Sequence, residues 1–320
     1  MFKGVTALDS AILVSNKNAE ITSMKSTFEN CENLNAVTIS GFNTNNLKTV
    51  NRLFYNTKIN KLALTDFSTS KIEDFSYMFA NTQKDSFDLS KFDTKNAKNM
   101  SHMFYNNIEL KYINLETINT SNVVDMSNMF ESCESLDNLD LSKFDTSKVT
   151  DMSSMFKNCL ALPSINYSSF DTRNVENMAN MFESCISFVS VDLSGFNTEK
   201  VKNMNSFFKG CINLVDVDFS SFNTKSVNDM AHMFDSCSLL KTLDISNFDT
   251  SNVKNMSHMF YLCSGLQNLN LWKFDTSEVQ DMSYMFTNCR SITNLDVNNF
   301  NTAKVENMAG MFGFFLSLKK

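Results

Sequence analysis

The dipeptide Met-Phe, or a close variant, ends at Phe2, Phe28, Phe54, Phe79, Phe104, Phe130, Phe156, Phe182, Phe208, Phe234, Phe260, Phe286 and Phe312. Ten of the twelve intervals are 26 residues and two are 25. A second ladder keeps the same step at Phe42, Phe67, Phe92, Phe144, Phe170, Phe196, Phe222, Phe248, Phe274 and Phe300, with Ile118 in the slot between Phe92 and Phe144. A chain of 320 residues would ordinarily suggest about two globular domains. Two ladders locked in phase override that expectation, because a fixed period of this size means one small unit stacked on copies of itself.

Within one unit, Leu136–Cys159, the apolar positions change period halfway. Leu136, Leu139 and Leu141 form L-x-x-L-x-L, whose last two side chains alternate as on a strand with one buried face. This is the strand signature of a leucine-rich repeat. From Val149 the spacing becomes three and four residues, through Met152, Met155, Phe156, Cys159 and Leu162, which predicts one apolar stripe of a short helix. Neither element buries its stripe alone, so neighbouring units must stack, with parallel strands about 4.8 Å apart and a body roughly 55–60 Å long. The expected architecture is therefore an α/β solenoid. Residues 1–320 form a single leucine-rich-repeat stack of about twelve repeats, with one parallel strand and one short helix per repeat of 25–26 residues. The 30 Phe and 20 Met supply its core, unbranched Met filling irregular gaps.

The unit [LIV]-x-[LIV]-S-x-F-[DN]-T-x-x-V-x-[DN]-M-[SA]-x-M-F-x-x-C-x-x-L resembles the BspA-like leucine-rich-repeat family of bacterial surface proteins. LDLSKFDTSKVTDMSSMFKNC (Leu139–Cys159) and LDISNFDTSNVKNMSHMFYLC (Leu243–Cys263) are representative copies. The resemblance covers nearly the whole chain. It implies exposure on a cell surface and a role in adhesion or host contact, and it supplies no catalytic residue to carry over. Some units depart from the pattern. Asn16 replaces the second phenylalanine and Val5 the cysteine in the first unit, while Thr57, Thr82 and Asn107 take the cysteine slot after Phe54, Phe79 and Phe104. Two of those units are also a residue short, which predicts a local irregularity in curvature.

Cys31, Cys133, Cys159, Cys185, Cys211, Cys237, Cys263 and Cys289 all sit three residues after the Met-Phe phenylalanine, so they form one column. Their side chains enter one core layer as small hydrophobes. The chain holds no C-x-x-C pair and no histidine at ligand spacing, which argues against a zinc site, and parallel side-chain vectors disfavour disulfides between rungs. His102, His232 and His258 share a slot that elsewhere holds Ser, Asn or Tyr, which reads as the exposed face of the helix. A repeated slot is not a convergent catalytic constellation, so no enzyme, metal or cofactor is expected.

A column of Asp or Asn (Asp88, Asn114, Asp140, Asn166, Asp192, Asp218, Asp244, Asn270, Asp296) lies between the two inward residues of each strand and must face outward. Like charges roughly 5 Å apart repel. Solvation and hydrogen bonds from the adjoining serines (Ser90, Ser142, Ser194, Ser220, Ser246) offset that cost, or else a cation such as Ca²⁺ or a basic partner does. The Asp/Asn-Thr pairs, such as Asp145-Thr146 and Asp249-Thr250, and the Asp/Asn preceding Met152 and its equivalents read as turn formers and helix caps.

Net charge of −7 and a pI near 5.1 argue against nucleic acid, which demands a basic footprint, and disfavour anionic membrane surfaces. No apolar run is long enough to span a bilayer and no secretion signal opens the chain. The chain begins and ends in mid-repeat, with Leu8 six residues after Phe2 and Leu318 six after Phe312, and neither end reads as a polar cap. Exposed apolar rungs predict end-to-end self-association. The readings are a fragment of a larger surface protein or, as the alternative, an intracellular scaffold or truncated gene product.

Function is expected on the strand-lined face, where the slots beside the Asp/Asn column vary. Trp272 occupies the slot after its strand, ringed by Lys273, Asn270, Asp244, Asp296 and Asn298. An outward indole is an anchor type enriched in interfaces, so these six residues are the candidate ligand site. The expected partner is a protein or glycan on a host or neighbouring cell.

Overall fold

The computed structural model describes residues 1–16 and 18–315, so Leu318 lies outside the described residues. The chain winds as a solenoid in which the same side chain of each turn stacks on its equivalent in the next. Nine strands fall among the described residues: β1 (Ser10–Val14), β2 (Ala36–Ser40), β3 (Lys61–Leu64), β4 (Ser86–Asp88), β5 (Tyr112–Asn114), β6 (Ser190–Asp192), β7 (Asp216–Asp218), β8 (Thr242–Leu243) and β9 (Asn268–Leu269). All pairing is parallel, with equivalent residues in register, Val37 opposite Leu62 and Val191 opposite Val217. The strands do not make one continuous sheet; they group as β1-β2-β3, β4-β5, β6-β7 and β8-β9. Pro163 contributes to one interruption. It lacks the N–H that Lys111, Val215 and Gln267, its equivalents in other rungs, donate to the carbonyl of the preceding rung.

The expected helix is absent: the described residues contain no helix, and the α/β reading is corrected to a β-solenoid. Two left-handed residues per rung explain this. Asn128 has φ 58° and Ser132 φ 57°, and the same two slots are left-handed from Ser26 and Asn30 to Tyr284 and Asn288. A helix admits no such residue. Instead the segment is a chain of turns. Met129 N–H, Glu131 N–H and Cys133 N–H close back three residues onto Met126, Asn128 and Phe130 carbonyls. The alternate amides of Met126, Asn128, Phe130 and Ser132 reach across to Asp151, Ser153, Met155 and Lys157 carbonyls of the next rung. Turns that close every few residues place side chains three and four apart on one side, so the apolar spacing is the same as that of a helix.

The Asp/Asn before each Met is consequently not a helix cap. It forms a parallel bridge with its equivalent in the next rung, in a column running from Ser23 through Thr49, Asp74 and Asn99 to Asn307. Its side chain also accepts the amide two residues on, as Asp125 Oδ1 does from Ser127 at 2.9 Å. The threonine of the Asp/Asn-Thr pair likewise joins rungs. Thr120 Oγ1 accepts the Asp145 amide at 2.8 Å and donates to the Asp145 carbonyl at 2.9 Å, and the pattern repeats at Thr146, Thr172, Thr198 and Thr224.

The core lies inside the coil. Thirteen phenylalanine rings from Phe2 to Phe312 stack face to face, with centroids 5.4–6.4 Å apart. A leucine column (Leu34, Ile59, Leu110, Leu136, Leu162) and the cysteine column are fully enclosed beside them. The irregular units after Phe54 and Phe79 hold a break in the sheet. No Cα of β3 lies within 8 Å of a Cα of β4, although the two strands occupy consecutive rungs, whereas β7 and β8, also in different sheets, stay within that distance.

Candidate binding surface

Repetition spends most polar groups on holding the rungs together, so the site must be sought among those left over. In the strand-flanking column Asp88, Asp140, Asp192, Asp218 and Asp244 each accept the amide of the serine two residues on, at 2.8–3.0 Å. Those bonds hold the carboxyls of Asp88, Asp140, Asp192 and Asp244 below the usual carboxylate range, the Ser246 hydroxyl leading at Asp244 and the serine amide at the others. The negative column is thus offset by local hydrogen bonds. Among the described residues no three His, Cys, Asp or Glu side chains gather to hold a metal ion.

Trp272 lies in the turn after β9, at the rim of the strand face rather than on it, and is 65% exposed. The Lys273 ammonium stands 5.2 Å from the indole centroid, a cation–π distance. Asn270 is a turn former, its Oδ1 accepting the Trp272 amide at 3.3 Å. Asp244 feels the charge of Lys273, which adds to the lowering of its carboxyl. Asp296 is spent on the Asn298 amide, at 3.0 Å. Asn299, not among the expected residues, ties the turn down by donating to the Leu271, Trp272 and Phe274 carbonyls. The structure therefore brings Trp272 and Lys273 together, with Asn270 holding the Trp272 turn and Asp244 in the field of Lys273, while Asp296 and Asn298 bond to each other in the turn one rung on.

A second surface was not foreseen. The histidine slot is the first left-handed slot, and its three histidines are half-buried, with their rings in stacks that run from rung to rung, instead of lying exposed on a helix. Arg52 lies 4.5 Å from the Tyr77 ring centre, and Tyr77 stacks on His102 at 4.1 Å. Further along, His232 stacks on His258 at 4.4 Å and His258 on Tyr284 at 4.9 Å. His232 Nδ1 pairs with Asp235 at 2.8 Å. Burial pushes the His102 imidazole down to about 4, and burial followed by the charge of His232 lowers His258. The signal available in the sequence was the shared slot itself, which also holds Arg52, Tyr77 and Tyr284.

The eight thiols behave as the column reading expects in being buried and unpaired with one another. Each also donates to the carbonyl of the phenylalanine one rung back, as Cys159 does to Phe130 at 3.2 Å and Cys211 to Phe182 at 3.0 Å. Burial pushes Cys159, Cys211 and Cys289 up to about 12.

Residues 1–113, 81–191, 104–217, 160–243 and 206–319 match a family described as Mycoplasma protein of unknown function, DUF285. Among curated proteins none matches the chain in sequence. Among solved structures, a leucine-rich repeat protein from Bacteroides ovatus aligns with a TM-score of 0.56 at 15% identity, covering 99% of this chain and 79% of that one. That likeness shows a shared solenoid fold. A leucine-rich repeat protein from Eubacterium ventriosum aligns at 0.43 and 14% identity over 98% of this chain and 84% of its own. A leucine rich cell surface protein from Faecalibacterium prausnitzii aligns at 0.40 and 14% identity over 94% and 82%. No helix among the described residues is long and apolar enough to cross a membrane.

Proposed function

This chain belongs to the family described as Mycoplasma protein of unknown function, DUF285, and we propose that it is a non-catalytic binding protein of a bacterial cell surface, working in adhesion or partner contact. The repeat's resemblance to BspA-like surface proteins supports the surface placement. The observation that carries the binding reading is Trp272, an indole 65% exposed beside a lysine, on a frame of turn-forming Asn and Asp side chains. A rigid aromatic anchor with a cation beside it and a fixed polar rim suits a protein or a glycan, whose sugar rings stack on indoles. The frame costs no ordering on binding, because its hydrogen bonds are already made.

The test compares the parent and Trp272→Ala on arrays of host-surface proteins and glycans. Truncating an anchor of this kind costs about 2 kcal/mol or more, a loss of at least roughly thirtyfold in affinity. A confirmed ligand held equally by both proteins removes Trp272 from the site, and an array without any surface ligand favours an intracellular scaffold.

A further inference from the structure

The gap between β3 and β4 has a local cause. In the leucine column that otherwise seals each rung, Lys84 stands where Ile59 and Leu110 stand in the rungs on either side. Those neighbours are buried at 2% and 0% exposure, whereas Lys84 is half-exposed and turns its ammonium to the Asn60 carbonyl at 3.0 Å. In the rungs before and after, the equivalent carbonyls of Asn35 and Asp85 receive backbone amides of the next rung, from Asn60 and Lys111. A side chain has therefore replaced a ladder bond. The strands stand apart on this side while the rungs stay tied on the other, where Thr69 Oγ1 still accepts the Asp93 amide at 2.8 Å.

Lys61 and Thr65 amides point back to the Asn35 and Ile39 carbonyls, so the intervening Leu62 and Leu64 backbone groups face β4. The Leu89 amide points on to the Asn114 carbonyl, so the backbone of Ser86 and Asp88 faces β3. Both edges of the slot are thus unpaired strand. Between them is a cleft of about 560 Å³, floored by apolar side chains including Leu62, Leu64, Phe67 and Phe87. The strands are more than 8 Å apart, and one intercalated strand needs two ladder spacings, about 9.6 Å.

We infer that this slot takes up an extended peptide segment of about four residues, inserted as a strand between β3 and β4, apolar on its core-facing side and acidic near Lys84. The backbone edges favour a peptide over an acyl amphiphile, which fills volume but pairs no amide. Lys84 and Lys91 line the cleft against one carboxylate, Asp88, which already accepts the Ser90 amide and the Asn114 side chain. An incoming peptide amide takes the Asn60 carbonyl and releases the Lys84 ammonium to a carboxylate on the peptide. The slot lies seven rungs from Trp272, so it is independent of the surface proposed above.

The probe is a fluorescent peptide, Asp-Asp-Thr-Val-Thr-Val-Thr, whose acidic end lies beside Lys84 when it runs parallel to β3 and β4, followed by anisotropy with the intact chain. Micromolar binding is expected, together with slowed amide exchange at Leu62, Leu64, Ser86 and Asp88. Lys84→Leu restores the sealing column and should weaken binding at least tenfold with the circular dichroism spectrum unchanged. A version of the peptide N-methylated at both valines should bind at least tenfold more weakly to the parent. Equal binding by the N-methylated peptide, exchange protection elsewhere, or palmitate binding in place of the peptide would each overturn the proposal. Should Lys84→Leu misfold, the N-methylated peptide and the exchange map still decide it.

Discussion

At Cys159 three facts converge on one chemical state: the side chain is fully buried, its Sγ donates to Phe130 O at 3.2 Å, and burial pushes it up to about 12. A thiol in that state is not a nucleophile, because the thiolate is the reactive form. Disulfide-exchange reagents at pH 8 should therefore leave Cys133 to Cys289 unmodified until the protein unfolds. Cys31, whose bond to Phe2 O is only partly buried where the equivalent bonds of the other thiols are buried, should react first. Rapid modification of Cys185 or Cys211 in the native protein would contradict the column. His102 makes the opposite kind of prediction. Its folded value of about 4 lies below the ordinary 6.5, so the folded state resists protonation. Stability is whole above pH 6.5 and is lost as pH falls toward 4, where the unfolded chain takes the proton and the folded one does not. His102→Tyr, the residue found in this slot at Tyr77 and Tyr284, should flatten that part of the profile, and proton NMR should show His102 titrating near 4. An imidazole titrating at 6.5 would mean that the stack on Tyr77 is open.

At the scale of the element, the turn segment separates two structures that share a side-chain pattern. Ser132 has φ 57°, in the left-handed region. If the segment were a helix, Ser132→Gly would cost a few tenths of a kcal/mol or more and Ser132→Val would cost little. In the turn ladder the order reverses. Glycine is accommodated without loss, while a β-branched residue in this region costs about 1–3 kcal/mol, readable in urea unfolding. Thr198→Val tests the inter-rung bridge, since the Asn223 amide and carbonyl both lose their hydroxyl partner at once. A loss of about 1–3 kcal/mol is expected for groups left unpaired in the interior, and a neutral substitution would mean that the bridge does not matter. The phase of both phenylalanine ladders, the buried cysteine column and the parallel pairing were all legible in the sequence, because each follows from which residues repeat. The same spacing predicts a helix where the structure has turns, because spacing records the direction of side chains and not the sign of φ. Asn30, Asn56, Asn81, Asn106, Asn158 and Asn288 in one slot carried that sign, since asparagine tolerates the left-handed region. Trp272 was legible as an outward residue, but its turn partners, above all Asn299, depend on a loop one rung away that no local pattern announces.

For the whole molecule, stability in a stack is close to a sum of contributions from rungs and from the interfaces between them. Most interfaces repeat the same parts: a phenylalanine pair, a threonine bridge, a thiol on a carbonyl and an Asp/Asn bridge. Phe208→Ala removes the ladder stacks on Phe182 and Phe234 together with the edge contacts to Phe207 and Phe219 and leaves a cavity, costing about 3–5 kcal/mol within the central block. The interface between the rungs of β3 and β4 is different. It keeps the Phe54–Phe79 stack and the Asp/Asn-type bridge of Thr49 to Asp74, but it lacks strand pairing, carries Lys84 in the leucine column and has threonine in both cysteine slots. A one-dimensional array breaks first at its weakest interface. Native-state amide exchange should therefore show residues before about 80 opening as a unit at lower free energy than the rungs from Leu110 to Cys289, and urea unfolding should be broader than a single transition allows. Lys84→Leu should fuse the two blocks, raising the first midpoint and sharpening the curve. If protection were uniform along the stack, or if Lys84→Leu lowered the first midpoint, the gap would have to be a well-packed junction, and the cooperativity of the solenoid would pass through it without interruption.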